Sequence, residues 1–589
     1  MMNQFRKTKN LLFTFLPYLV FFLISFIFFG PFADYVCFFQ EKSTLFIFSG
    51  DYLTEHLHQP GSLLLYISKF LSAFFYLPAA GAAIVSATIC LIIYLASKIM
   101  TRISGAESIF IPMIAGAAFF FLHTDYQYLF YNSLGLLLQL ALLCIAIKYL
   151  KGWLPVVLFP LWYFITGGFA WIFYIMYILY LAFNAGKRGW FKIAALTGLA
   201  VLMIGLFKEF VFFRTLKSLL TFPYTGNNLG SQFRLFVPVA VFIASLPVIA
   251  KIRLRFPSSL RINETILKSA AAIVPIVLLI LLAILRNDSR TRQYFRVEKL
   301  FYHGRYNDVI AFNTKNPSNN ILTNYLNNIA LCETGKLNDM LFHFRQSPDG
   351  QTLFLKWEML GEILKRGGYF YYTTGMINEA QRWAYENMVM KGHSPEGLKM
   401  LIRTELINGN YPIAAKYIRI LKKTIFYRSE AKVFETLLFD DQAIITHPEL
   451  GVKRKEKIEH DFFSITDDPL INIERVLASD SLNRKAFEYK MAFLLLNKDY
   501  PAIIAEIPKL ENYGFNKIPV HLDEALVAYK TLKLGPLPDV AMLQSDRQTE
   551  LRFSQFLQTF QLYGNSLQTA EPALRQKFGK TFWYWAFYR

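Results

Sequence analysis

Cysteine is scarce. Only Cys37, Cys90, Cys144 and Cys332 occur in 589 residues, too far apart for any CxxC or CxxH pairing. Zinc-ribbon and dithiol redox chemistry therefore have no sequence basis. Cys90 and Cys144 lie inside apolar runs and read as core residues. Charge is thin as well, at 18% of residues, and acid is in deficit: 42 Asp and Glu stand against 62 Lys and Arg, a formal net charge of +20. An excess of this size marks a nucleic-acid binder when it clusters beside RNA-binding or helix-turn-helix signals. None is present, so nucleic acid is not an expected partner. The residues name no cofactor and no metal.

What the chain has instead is apolar surface. It is 54% hydrophobic and 17% aromatic, with a mean hydropathy of +0.31, values that point to membrane spans. Nine apolar runs are read as spans: Leu11–Gly30, Leu77–Leu95, Ile109–Leu122, Leu134–Ile147, Leu154–Ile165, Phe169–Phe183, Ile193–Phe207, Leu235–Ala250 and Ala270–Leu285. The two runs either side of Thr166, Gly167 and Gly168 are either two spans or one broken hairpin. The first run follows a short basic segment with Arg6, Lys7 and Lys9 and ends GPFAD. It has span length and no small-residue cleavage site, so it is read as an uncleaved span rather than a signal peptide.

Loop charges then set the topology. Lys98 and Arg102, Lys148 and Lys151, Lys187, Arg188 and Lys192, and Lys251, Arg253, Arg255, Arg261 and Lys268 all fall on the side of the N-terminus. The opposite face carries an acidic first loop at residues 31–60, then His123–Ser133, Thr166–Gly168 and Phe213–Arg234. The expected organisation is a multi-span domain over 1–286 and an extracytoplasmic domain over 287–589, in a bacterial cytoplasmic membrane with the N-terminus inside.

The segment from His58 to Pro78, HQPGSLLLYISKFLSAFFYLP, is bracketed by Pro60 and Pro78 and interrupted by Lys69. It suits an amphipathic helix lying at the membrane interface. The other reading is a longer second span with a snorkelling lysine.

After Asn287 the long apolar runs stop and a short pattern recurs: Gly304-Arg-Tyr306, Gly335-Lys-Leu337, Gly375-Met-Ile377, Gly409-Asn-Tyr411 and Lys498-Asp-Tyr500. Gly375 and Gly409 are 34 residues apart, and an alanine, Ala380 or Ala414, follows each by five. Over Arg292–Lys533 this resembles the tetratricopeptide repeat, in which a glycine turns the chain between paired helices. The resemblance implies an array of helical hairpins whose concave face takes a peptide or protein partner. A packed helical domain without a partner is the alternative. The closing TFWYWAFYR, six aromatics in its last eight residues, must either cap the last helices or meet the membrane interface.

Titratable groups concentrate in the first loop, which holds Asp34, Glu41, Asp51, Glu55, His56 and His58. A carboxylate at a membrane face, desolvated by aromatics, serves as a general base. Asp34 with Asp51 or Glu55 could hold a divalent cation through oxygen. The plainer reading makes these solvated loop residues at the end of a span, Glu41 and Glu55 above all. His56 and His58, two apart, do not share a helix face and are weak metal ligands. In the later outer segment, Lys208, Arg214, Lys217 and Arg234 run against the charge rule. Arg214 has the planar fork that suits phosphate, and Lys208 can simply pair with Glu209.

The order of these features resembles the C-superfamily membrane glycosyltransferases. Asp34-Tyr35 follows the first span, then His58-Gln59-Pro60-Gly61, then SLLLYISKFLSAFF and the next span. Asp125 and Asn132 occupy the second outer loop, and Phe164-Ile-Thr-Gly-Gly168 is similar to that family's apolar-Thr-Lys-Gly turn. The departures are Tyr35 for a second acid, Asn132 for an expected Asp, and Gly167 for the usual lysine. The resemblance covers the first 170 residues or so. It implies transfer from a polyprenyl-phosphate-linked sugar on the outer membrane face, with Asp34 as base or metal ligand. With the charge arguments above, the expected site is Asp34 and Asp51 catalytic, and His58, Asp125, Lys208 and Arg214 binding substrate. The whole chain also looks like an uncharacterised family of bacterial membrane proteins, which implies no activity. The expected fold is all-α, a membrane helix bundle followed by a tetratricopeptide-like repeat domain. The expected function is a glycosyltransferase or, alternatively, a non-catalytic scaffold that recruits cell-envelope proteins.

Overall fold

A computed structural model describes residues 2–105, 109–150, 152–184, 186–224, 230–252, 264–357, 362–458, 467–537 and 545–589, without the side chains of 2–14, 230–233 and 264–271. The topology expectations that rest on Lys151, Arg253, Arg255 and Arg261, and on the side chains of Arg6, Lys7, Lys9 and Lys268, lie outside the described residues. Among the described residues every regular element is helical and no strand occurs. The chain divides into two compact units, Met1–Asp288 with Lys423–Arg428, and Ser289–Lys422 with Ser429–Arg589.

In the first unit, five described helices are long and apolar enough to cross a membrane: Phe15–Phe32, Pro78–Ser104, Phe130–Lys148, Phe159–Asn184 and Gly186–Val211. A sixth is counted if the bent pair Ala272–Leu285 and Ser289–Tyr302 is one span. The expected nine is therefore too many, for three physical reasons. Phe110–His123 has only 14 residues, which at 1.5 Å per residue is about 21 Å and falls short of a hydrocarbon core of about 30 Å. The runs either side of Thr166 share one candidate span, bent at a short 3₁₀ turn over Gly167–Phe169. The run Leu235–Ala250 breaks near Ser245 into two short helices.

Pro78–Ser104 is the hub of this unit and packs on the helices before and after it. Pro78 opens it, pre-set for the first helical turn, and Gly105 at φ +72° closes it. Ile93 on this helix presses on Gly116, where a Cβ would come within 2.3 Å of its Cδ1. Small residues at such crossings let apolar helices approach closely.

The short segment Lys423–Arg428 belongs to this unit although it lies far along the chain. Phe48 N–H donates to the Lys423 carbonyl at 2.8 Å, and Phe426 stacks on Tyr76 with ring centroids 4.7 Å apart. The Tyr427 hydroxyl donates to Glu41 and accepts from Lys42 Nζ at 2.8 Å. Glu41, expected to be a solvated loop residue, is instead 5% exposed and sits beside Lys42. Two charges and a hydroxyl satisfy one another there, which is what lets them be buried.

In the second unit the recurring pattern has a single structural meaning. Gly304, Gly335, Gly375, Gly409 and Lys498 each lie just past the end of one helix and before the next, and all five have positive φ. At each, the following N–H reaches back to the carbonyl five residues earlier: Arg305 to Leu300, Lys336 to Leu331, Met376 to Tyr371, Asn410 to Glu405 and Asp499 to Leu494. This is the Schellman closure, in which a left-handed residue turns the chain and satisfies an orphan carbonyl. Helix pairs are established; a regular tetratricopeptide array is not, since the paired helices run from 4 to 15 residues.

The aromatic terminus resolves toward capping. Phe582, Trp583, Tyr584 and Trp585 are buried, Trp583 Nε1 donates to the Glu524 carbonyl at 2.7 Å, and Trp585 Nε1 donates to Leu496 at 3.2 Å.

Arg366 is the most demanding group in this unit. It is 1% exposed and pairs with Glu298, itself buried, and with half-buried Glu362. Arg366→Leu should strand the Glu298 carboxylate and destabilise by about 3–5 kcal/mol, whereas adding Glu298→Leu should recover most of the loss. Thermal unfolding of the two purified variants, followed by intrinsic fluorescence, checks this. Equal melting of wild type and single variant would show that the pair does not hold the unit.

Candidate functional site

Three loops of the first unit meet where no side chain fits. They are Pro60–Gly61, the turn Thr166–Gly168, and Phe222–Pro223. Gly61 N–H donates to the Phe164 carbonyl at 2.9 Å, and Gly168 N–H donates to the Phe222 carbonyl at 2.7 Å. Gly167 adopts φ +58°, ψ −134°, a region essentially restricted to glycine. A Cβ on it would lie 2.6 Å from the Phe222 carbonyl oxygen and 2.9 Å from Gly61 Cα. Tyr131 fixes the third loop by donating its hydroxyl to the Pro223 carbonyl at 3.1 Å.

Gly61 also launches the helix Ser62–Ala73. On that helix Leu65, Ser68, Lys69 and Ser72 have the i, i+3, i+4, i+7 spacing of one face. They line a cavity of about 210 Å³ with Gln40 and Thr44 on one side and Leu129–Tyr131 and Phe222–Pro223 on the other. Gln40 fixes the far wall with both ends of its amide: Nε2 donates to the Tyr128 carbonyl and Oε1 accepts from Phe130 N–H, each at 3.0 Å.

Among the described residues Lys69 is the only cation lining this cavity. It is half-buried, and among the described residues it makes no ion pair with a carboxylate. Its Nζ lies 3.4 Å from His56 Nε2 and 5.5 Å from the Tyr52 ring centroid. His56 Nδ1 lies 2.7 Å from the Tyr52 carbonyl oxygen. A carbonyl only accepts, so Nδ1 carries the ring proton and Nε2 accepts from the ammonium. Burial lowers the pKa of His56, against the raising pull of the Tyr52 carbonyl, and the Lys69 charge lowers it further. The imidazole is thus neutral at pH 7. Burial also lowers the pKa of Lys69, opposed by Glu55. An ammonium has three donors; His56 takes one, and the hydroxyls of Ser68 and Ser72 line the same cavity, while the Thr44 hydroxyl is spent on the Gln40 carbonyl at 2.8 Å. A tetrahedral oxyanion is the group such a set of donors can bind.

None of the expected site residues lines this cavity. Asp34 is half-buried in the first turn of the helix Asp34–Ser43, and Asp51 is exposed in the first turn of Gly50–Glu55. His58 is exposed with Nδ1 at 2.7 Å from the Thr54 carbonyl. Asp125 is half-buried and accepts from Gln127 N–H at 3.0 Å within its own turn. Lys208 pairs with its neighbour Glu209 at 2.5 Å, and both are exposed, as is Arg214. The structure does bring together two motif stretches, the His58–Gly61 segment and the Phe164–Gly168 turn, through Gly61 and Gly167. Among the described residues no group of three or more His, Cys, Asp or Glu is placed to hold a metal ion.

Among the described residues these features are those of a helical protein with apolar helices of membrane-spanning length and a small polar cavity lined by a single cation. The chain belongs to a family of unknown function, DUF6057, whose model matches residues 9–589. No curated protein and no solved structure matches it.

The loop junction carries a direct prediction. Gly167→Ala forces a side chain into backbone from two directions and into an unfavourable φ, so its unfolding temperature in detergent should fall well below wild type. Gly198→Ala, in the helix Gly186–Leu206 with no atom within 4 Å of the new Cβ, should be neutral or up to about 1 kcal/mol stabilising. Equal behaviour of the two variants would contradict the junction.

Proposed function

We propose that this protein binds the phosphate of a polyprenyl-phosphate-linked sugar at the Lys69 cavity and acts as a glycosyltransferase in the bacterial cytoplasmic membrane. The observation that carries the reading is Lys69: a half-buried ammonium that makes no ion pair among the described residues, with only the more distant charge of Glu55 acting on it, lining a cavity that Ser68 and Ser72 also line among apolar helices. A cation in that position gains most from an anion brought by a ligand.

In this reading the bond between sugar C1 and the phosphate oxygen breaks and C1 bonds to an acceptor hydroxyl oxygen. The acceptor proton passes to a carboxylate outside the cavity, Asp34 or Asp51, so the sugar reaches out of the cavity while the departing phosphate takes the electron pair beside Lys69. His58 and Asp125 contact the sugar, while Lys208 and Arg214 meet anionic headgroups at the membrane surface. The N-terminus lies in the cytoplasm and the second unit outside it.

The second reading is a scaffold without catalysis. The five Schellman-closed helix pairs favour it, because stacked pairs present extended surfaces to protein partners.

Native mass spectrometry of the detergent-purified chain with polyprenyl monophosphate tests the first reading. Wild type should retain the lipid, and Lys69→Met, which keeps the apolar stem, should lose at least about tenfold in affinity without a lower unfolding temperature. Undiminished binding by Lys69→Met removes the cavity from the account. In a deletion strain with an envelope-glycan defect, Asp34→Asn should fail to complement, since a positioned base contributes about 10²–10⁴-fold in rate. Full complementation by both Asp34→Asn and Asp51→Asn leaves the scaffold. A reporter active only in the cytoplasm, fused after Arg589, should be silent; activity there would reverse the topology.

A further inference from the structure

The second unit holds a larger and chemically different cavity. It has a volume of about 970 Å³ and lies between the segment Phe342–Pro348 and the junction of the last two helices, Leu567–Phe578 and Phe582–Tyr588. Its floor is aromatic, but the rings are spent on one another. Phe342 stacks on Trp585 with centroids 5.5 Å apart and lies 5.9 Å from Phe582, and all three are buried. What the cleft shows to solvent is basic: Arg345, Arg575, Lys580 and Arg589 are all exposed, whereas desolvation pushes the pKa of the His343 imidazole down to about 4 and leaves it neutral.

Among the described residues no acidic side chain lines the cleft. Carboxylates of the surrounding elements are engaged elsewhere, Asp339 among them, which accepts from Val520 N–H at 2.8 Å. Glu524 accepts from His521 Nδ1 at 2.9 Å and from Phe582 N–H at 2.7 Å. Glu571 accepts from the Tyr584 hydroxyl at 3.1 Å. Asp349 accepts from Ser347 and from Gln351 within its own turn. Arg345 Nη1 donates to Asn319 Oδ1 at 3.0 Å, which holds the guanidinium at the rim without neutralising it. Among the described residues Arg575 and Lys580 make no ion pair. Four full cations, Arg345, Arg575, Lys580 and Arg589, around one cleft raise the local concentration of anions, and guanidinium forks take carboxylate or phosphate oxygens pairwise.

The ligand's other properties follow from what the cleft lacks. Two of the ways a peptide is held, strand addition to a sheet edge and apolar side chains laid into a groove, have no place here, which leaves an acidic peptide only its charges to bind with. No strand exists among the described residues, and the apolar floor is already packed. A ligand that bonds through hydroxyls and anionic groups, and is several units long, matches both the polar lining and the volume. We propose that this cleft binds an acidic oligosaccharide, its carboxylates held by Arg345, Arg575 and Lys580. The site lies wholly within the second unit and does not depend on the Lys69 reading.

Calorimetric titration of the detergent-purified full chain with tetragalacturonate tests this, beside cellotetraose, tripolyphosphate and an acidic phosphopeptide as comparison probes. Tetragalacturonate should bind, more weakly as salt rises, and cellotetraose should not. The double variant Arg575→Gln/Lys580→Gln should bind at least about tenfold more weakly, and Arg345→Gln should also weaken binding, with unfolding temperatures unchanged because these side chains are exposed. The proposal is overturned if tetragalacturonate does not bind, if cellotetraose binds equally, if the folded variants bind like wild type, or if tripolyphosphate or the phosphopeptide binds and tetragalacturonate does not.

Discussion

Backbone meets backbone at Gly61, Gly167 and Phe222, and the candidate site hangs from that contact. Gly61 Cα stands 2.9 Å from where a Cβ of Gly167 would be, so the three loops close only because two of them carry hydrogen in place of a side chain. From this point Ser62–Ala73 sets out with the face of Ser68, Lys69 and Ser72 toward the cavity, and Phe222–Pro223 forms the opposite wall. Gln40 and Tyr131 complete the enclosure with hydrogen bonds to main-chain groups rather than to other side chains. A cavity framed by backbone contacts holds its shape without help from a ligand, which is the condition for placing one cation accurately.

Part of this was legible in the sequence. The membrane character and the all-helical fold follow from apolar runs and from the pattern repeated at Gly304, Gly335, Gly375 and Gly409. That Lys498 plays the glycine's part is visible from its register with the aromatic that follows, and the shared Schellman closure confirms it. The Lys69 cavity also left a signal: serine, lysine and serine at positions 68, 69 and 72 fall on one face of an otherwise apolar helix. Neither the interfacial-helix reading nor its alternative, a longer span with a snorkelling lysine, used the fact that the neighbours of Lys69 on that face are polar as well.

The rest was not legible, for reasons of distance along the chain and of length. Nothing local to residues 61, 167 and 222 announces that they touch. Hydropathy windows count apolar residues but not helix ends, so Phe110–His123 and the two halves around Ser245 passed as spans. Glu41 looked solvated because its partner Tyr427 lies 386 residues away. The acidic loop drew attention to Asp34 and Asp51 by charge, whereas the cavity is built around a lysine and hydroxyls.

The most direct measurement of the central claim is an experimental structure of the protein in lipid with polyprenyl monophosphate present. The account predicts phosphate density in the cavity bounded by Gln40, Tyr131 and Pro223, with an oxygen within about 3 Å of Lys69 Nζ and further bonds to the hydroxyls of Ser68 or Ser72. Phosphate bound elsewhere, at Lys208 and Arg214 for example, with Lys69 still held only by His56, would contradict it.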